Sequence, residues 1–298
     1  SPHTAVLLNL YPEHLDYYKN FKEYKAAKAR ITLFQKHSDY FIYRSSDPKI
    51  TEIASQTKAT LIPFQIDHPQ ITGCFIEDEK IVFVNKGKKE IIMPVAEIPL
   101  PGRFNIHNVM PAIIIGRLLK IPTMIIRQAI KDFKPLEYRL KQVGIFHGIT
   151  FYNDPLATIP QATLSAIETL GNQVETLMLG GHDRGINYKK FVVQLLATSV
   201  KTIILFPTSG KRLYDTFKTE IPQQNKISFY FVDSMRDAVK LSYEKTSPGK
   251  ICLHSPAAPA CGVGFKDYKE RGKLFEEYVI SMQNSATAPP LSSPSPRR

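Results

Sequence analysis

Residues 149–185 read ITFYNDPLATIPQATLSAIETLGNQVETLMLGGHDRG. The apolar run Ile149–Asn153 stops at a polar turn that carries Pro155 and Pro160. A helical pattern follows over Gln161–Leu170, then a second apolar run, Thr176–Leu179, that ends on Gly180-Gly181. Strand, helix and strand at this spacing make a βαβ unit, so the two strands are expected to lie parallel in one sheet. The same alternation continues toward the C-terminus. It places strands at Thr202–Phe206, Ile227–Val232 and Ile251–His254. Helices are expected at Tyr188–Thr198, Gly210–Lys218, Met235–Glu244 and Lys266–Met282. Ligands of such α/β sheets bind beyond the C-terminal ends of the strands. That rule points to Asn153-Asp154, to Gly180–Arg184 and to Ser255-Pro256.

The first 135 or so positions have a different texture. Strands are expected at Thr4–Leu10, Tyr40–Tyr43 and Thr60–Phe64, and a helix over Phe21–Phe34. Ile71–Ile76, Ile81–Asn85 and Glu90–Pro94 are short runs parted by turn residues, the pattern of a small antiparallel meander. Helices over Asn105–Leu119 and Thr123–Phe133 close this half. The reading divides the chain into a first domain at 1–136, a second at 137–283 and a Pro/Ser-rich tail at 284–298 that is expected to be disordered. A domain that opens at Ser1-Pro2 and runs almost at once into an apolar strand is expected to be the remainder of something longer.

Composition narrows the field. The 298 residues are 43% hydrophobic and 22% charged, a globular balance. No apolar run approaches the ~18–20 residues of a membrane helix, and the N-terminus carries no signal-peptide pattern. Three scattered cysteines, Cys74, Cys252 and Cys261, give neither a disulfide framework nor a zinc pair, so a cytoplasmic setting is expected. The net charge of +12 suits polyanionic ligands, or simply a Lys-rich surface. No nucleic-acid-binding signature and no GxxxxGK[ST] phosphate loop occurs.

Several constellations are able to carry chemistry, and each has a plain structural reading beside the functional one. Asn9–Asp16 follows a strand and offers His14 among carboxylates, either for a metal or phosphate or as a capping segment. Helical period sets Lys28 on the face of Phe21 and Tyr24, partly inward, where it needs a partner unless it snorkels to water. Asn105 and Asn108 lie one turn apart, suited to a purine edge, unless Asn105 simply caps its helix. Arg139, in Glu137–Leu140 at the domain hinge, is placed for a phosphate or a surface ion pair. Asp154 stands at a strand end, able to accept a proton or orient an amine. Gly180–Gly185 and Ser255–Ala260 read as ligand loops or as turns.

Taken in order, NLYPEHLDYY…FKEYKAAKARI, PGRFNIHN, EYRL, YNDPLATIPQAT, GGHDRG and SPAAP…FKDYKERG resemble the Mur ligases over roughly residues 1–283. The resemblance implies an α/β architecture: part of the ATP-binding central domain, with its sheet, meander and helices, followed by a Rossmann-like C-terminal domain. By that comparison the family's N-terminal domain and P-loop are missing, and the fragment is expected to be inactive alone. The YND-x-x-AT-x-P and GG-x-DRG pair resembles the D-glutamate-adding branch. The implied reaction joins D-glutamate to UDP-N-acetylmuramoyl-L-alanine in peptidoglycan synthesis, with ATP and Mg²⁺, through an acyl phosphate.

The resemblance also implies roles for individual residues. His14 matches the family's Mg²⁺-associated histidine, and Lys28 its carbamylated lysine, an anion able to support a second Mg²⁺. Asn105 and Asn108 match adenine contacts, Arg139 a nucleotide-phosphate contact, and Asp154 a residue on the ribose or phosphate side. Arg184 matches a cation for D-glutamate and Tyr268 an aromatic beside it. Ala260 stands where a serine often touches D-glutamate, and Pro155-Leu156 where some members have Ser-Lys. These two departures keep open a Mur-type ligase for another amino acid, or a non-catalytic binding remnant.

Overall fold

The computed structural model describes residues 1–68, 71–220, 227–261 and 264–283, and the expected tail at 284–298 lies outside them. Its contacts divide into two units, one of Ser1–Leu136 with Arg184–Ile186, the other of Glu137–Asp183 with Asn187 onward.

The first unit is built on one mixed sheet of six strands in chain order: β1 (Thr4–Leu7), β2 (Tyr40–Arg44), β3 (Thr60–Phe64), β4 (Gly73–Glu77), β5 (Lys80–Asn85) and β6 (Lys88–Pro94). β1, β2 and β3 are parallel, while β4, β5 and β6 form the antiparallel meander. The meander is no separate body. It joins the parallel strands through the pair Phe64–Cys74, both fully buried. Helices α1 (Phe21–Ala29), α2 (Pro48–Ala54), α3 (Arg103–Leu118) and α4 (Thr123–Lys131) complete the unit. Ile106, Met110, Ile113 and Ile114 of α3 bury themselves against Ile42, Phe64, Ile81 and Met93 of the sheet. A second cluster, with Leu10, Tyr24, Phe41 and Ile50 at its centre, includes the residues of α1 and α2.

One expectation is corrected here, and one helix with no sequence expectation is added. The helix read over Phe21–Phe34 ends at Ala29 and tightens into a 3₁₀ turn, Arg30–Thr32, beyond which Leu33 and Phe34 stand exposed. α2 was hidden by its length, although Asp47 accepts the Lys49 N–H and Pro48 fills the first helical position, both ordinary start signals.

The second unit is a six-stranded sheet in the order β11-β10-β9-β12-β8-β7. Its strands are β7 (Lys141–Phe146), β8 (Ile149–Asn153), β9 (Val174–Gly180), β10 (Thr202–Phe206), β11 (Ser228–Phe231) and β12 (Ile251–His254). All neighbouring pairs are parallel except β7, which runs antiparallel to β8 along the edge. Every residue of β9, β10 and β12 is buried, as a sheet covered on both faces requires. The helices are α5 (Pro160–Leu170), α6 (Lys189–Leu196), α7 (Ser209–Glu220), α8 (Met235–Lys245) and α9 (Tyr268–Met282). Phe275 and Val279 of α9 pack into the cluster of Phe151, Met178, Ile204, Phe206 and Cys252. Sequence reading missed β7, whose Gly144 and largely exposed residues give no buried run.

Candidate functional site

In the first unit the candidate residues gather after β1. Leu10 is buried and anchors the chain, and His14 then takes a left-handed backbone, φ 55°. Its carbonyl accepts the N–H groups of Tyr17 and Tyr18 at 3.0 and 2.9 Å. Asn20 caps α1 by accepting the Glu23 N–H at 3.0 Å, and Glu23 accepts the Lys19 N–H in return at 2.8 Å. The helix thereby presents Tyr24, which is buried among Tyr18, Phe21 and His14. The His14 ring centroid lies 6.2 Å from that of Tyr24, and the Lys28 ammonium sits 5.4 Å from the same ring.

His14 and Lys28 are thus gathered on one aromatic side chain. Lys28 is exposed, however, and not partly inward as its period suggests. It lays its charge over a π face and keeps it hydrated. Burial raises the Tyr24 phenol pKa above its usual value, and the Glu13 carboxylate adds to the shift. Arg184 is grouped with this unit, its guanidinium 3.6 Å from Glu13 and 3.6 Å from Asp16.

At the start of α3, Gly102 is the cap residue and Asn105 is not. Asn105 donates its side-chain amide back to the Pro101 carbonyl at 2.7 Å, and its oxygen accepts the Asn108 amide at 3.2 Å. The two amides therefore do share one helix face, with Asn108 exposed. Between them His107 is held neutral, its pKa pulled to about 4 by burial, with Arg44 adding to the effect. Sequence reading passed over that histidine.

In the second unit, β8, β12 and β9 are neighbours, and all three end at the same rim of the sheet. The three strand-end loops therefore lie side by side. Asp154 is buried and accepts the Leu140 N–H at 3.2 Å and the Ser255 hydroxyl at 3.0 Å. Burial lifts its carboxyl pKa to about 6, although both hydrogen bonds pull the other way. Arg139 is exposed between two residues of left-handed backbone, Tyr138 and Leu140, and its guanidinium reaches the Leu156 carbonyl at 3.5 Å. Tyr138 meets Tyr268 edge to face with 6.3 Å between centroids. A Cβ on Gly272 would fall 2.6 Å from the Tyr138 ring, so α9 needs glycine there for this contact. Ala260 is buried and offers no polar group.

Gly180 and His182 donate their N–H groups to the Pro256 and Pro259 carbonyls at 2.8 and 2.9 Å. Arg212 of α7 grips Asp183 with two donors, one of them at 2.6 Å, and stacks 5.0 Å from the Tyr188 ring.

Beneath this rim lies a buried polar layer that sequence reading did not find. His254 and Asn153 are partners across β12 and β8, joined at 2.9 Å between Nδ1 and Oδ1. Asn153 in turn donates to the Gly272 carbonyl and to Glu276, both at 2.9 Å. Burial drives the His254 pKa well below its usual range, and the nearby Arg271 adds to the shift. Arg271 is 1% exposed and donates to the Pro155 and Ala258 carbonyls at 2.7 and 3.0 Å. Its pKa is pulled down to about 9 by burial, which the Cys261 and Asp154 acids only partly oppose.

Residues 1–116 match the model of the Mur ligase middle domain. The chain is 33% identical over 282 residues to the UDP-N-acetylmuramoylalanine–D-glutamate ligase of Koribacter versatilis (strain Ellin345), covering 94% of this chain and 60% of that protein. It superimposes on MurF from Acinetobacter baumannii with a TM-score of 0.69 at 13% identity, over 94% of this chain and 60% of the other. A MurF ligase from Thermotoga maritima, solved in complex with ADP, gives 0.63 at 13% identity over 96% and 63%. These last two establish the fold: both units follow the Mur ligase architecture. The chain spans about 60% of the length of the curated relative it matches.

Proposed function

We propose that this chain serves an ATP-dependent ligase that joins D-glutamate to UDP-N-acetylmuramoyl-L-alanine in peptidoglycan synthesis. The observation that carries the reading is the 33% identity to a D-glutamate ligase, sustained across 282 residues and through both units. The side-by-side strand ends of β8, β12 and β9 supply the rim at which an α/β sheet receives its ligand.

The residues present suit the cofactors. Asn105 and Asn108 offer paired amides on one helix face for a nucleobase edge. Arg139 is an exposed guanidinium held between two constrained residues, apt for a phosphate. Among the described residues no three His, Cys, Asp or Glu side chains form a metal cage. Mg²⁺ does not require one, since it retains waters and binds largely through substrate phosphates. His14 and Lys28, gathered on Tyr24, are the groups that would stand beside it. When bound, ATP with Mg²⁺ supplies the phosphoryl group that activates a carboxylate toward an amine. The chain's own residues orient the base, neutralise phosphate charge and seat the amino acid; Arg184 of the first unit and Tyr268 of the second are each, taken separately, our candidates for that last contact.

The test is turnover by the protein expressed from its complete reading frame. Phosphate release from ATP is expected to require both UDP-N-acetylmuramoyl-L-alanine and D-glutamate, and Arg139→Ala is expected to raise KM for ATP about tenfold, the loss of a charge-assisted phosphate contact. Turnover with another amino acid but not D-glutamate favours the second reading, a Mur-type ligase of different specificity. The buried methyl of Ala260 speaks for that alternative.

A further inference from the structure

Arg271 is the most deeply buried charge in the described residues, at 1% exposure, and no carboxylate holds it. One amino group of its guanidinium, Nη2, divides between two peptide oxygens. Pro155 O at 2.7 Å belongs to the loop after β8, and Ala258 O at 3.0 Å to the loop after β12. The other, Nη1, lies beside the loop after β9: a Cβ built on Gly181 would stand 3.1 Å from it and 2.3 Å from the Pro259 carbonyl. A single side chain therefore bonds the loops after β8 and β12 and lies next to the loop after β9. Nη1 makes no hydrogen bond to that third loop, which is itself tied to the β12 loop by the Gly180 and His182 amides. The N-terminal end of α9 supports it from below, where Asp267 caps the helix and Gly272 lets Pro155 and Tyr138 approach.

We propose that Arg271 is a positioning residue: it fixes the three loops relative to one another, and through them the seat of the amino acid. The second clause rests on the reaction proposed above; the first does not. The guanidinium is planar and its donors point in fixed directions, so it sets the spacing of the carbonyls it holds. A lysine supplies charge without that fork, and a methionine supplies bulk without either.

The test is amide hydrogen exchange on this chain, comparing wild type with Arg271→Lys and Arg271→Met. The Ala157, Gly180 and His182 amides report the loops, since they donate to Asp154, Pro256 and Pro259. In Arg271→Met all three are expected to exchange at least tenfold faster, while Ile203–Leu205 of β10 stay within twofold. Arg271→Lys is expected to fall between. An unchanged loop amide overturns the proposal, and so does equal acceleration in β10, which marks a residue of general stability. If Arg271→Met does not fold, Arg271→Lys is judged by the same criteria; if neither folds, the role is structural and the proposal fails. A second arm uses the protein from its complete reading frame. Arg271→Lys is expected to raise KM for D-glutamate at least tenfold and to leave KM for ATP within twofold. An inactive wild type overturns the reaction and leaves the exchange arm to decide; an active wild type with unchanged KM in the variant overturns the coupling to substrate.

Discussion

His254 and Asp154 are neighbouring buried groups whose titrations pull stability in opposite directions. His254 is kept neutral in the fold, so its contribution is present above the unfolded value near 6.5 and is lost as pH falls below it. The thermal midpoint is expected to fall between pH 7.5 and 5.5, and less steeply in His254→Gln; equal slopes would sink this assignment. Asp154 behaves inversely. Its carboxyl pKa is raised from 3.8 to about 6, so the fold holds that proton more firmly than the unfolded chain does. The group therefore favours the fold as pH falls through 6 and disfavours it above. The midpoint of Asp154→Asn minus that of wild type is expected to be more positive at pH 8 than at pH 5. The reverse ordering would show that the carboxylate is stabilised, not penalised, where it sits. Asp154 was legible as a strand-end acid, yet its burial was not, because a turn residue beside proline reads equally well as solvated.

At the scale of elements, the loop after β9 tolerates little. Gly181 has φ +149° and no room for a Cβ, since the Pro259 carbonyl would be 2.3 Å away. Gly181→Ala is expected to destabilise by about 2–3 kcal/mol, the cost of forced backbone strain; a midpoint within a degree of wild type would refute the crowding. The parallel strands of the second unit were readable because each is an uninterrupted apolar run between polar loops, the mark of a strand buried on both faces. β7 escaped because edge exposure leaves no such mark, and α2 because seven residues hold too few turns for a period to show. Arg271 escaped for a better reason. A charge on a helix surface is the commonest thing in a sequence, and only the fold shows which one points inward. The roles proposed for His14, Lys28 and Arg184 came from family resemblance, since spacing alone left each with a plain alternative.

At the scale of the molecule, each unit has its own sheet and its own apolar core. Phe275 is fully buried in the second core, with Phe151 and His254 against its ring. Phe275→Ala is expected to cost about 3–5 kcal/mol. Calorimetry is expected to show a lowered transition for the second unit beside an unmoved one for the first. A single transition shifted as a whole would show that the two cores melt together.

The grip of Arg271 on peptide oxygens, and not on side chains, has an evolutionary consequence. A carbonyl survives almost any replacement of the residue that bears it. The Arg271 bonds are thereby indifferent to the side chains those loops carry, Leu156 and Ala260 included, although the loop after β9 still requires glycine at Gly181. On the ligase reading proposed above, new selectivity for an amino acid is then reachable by single substitutions on a fixed frame, without rebuilding the frame itself.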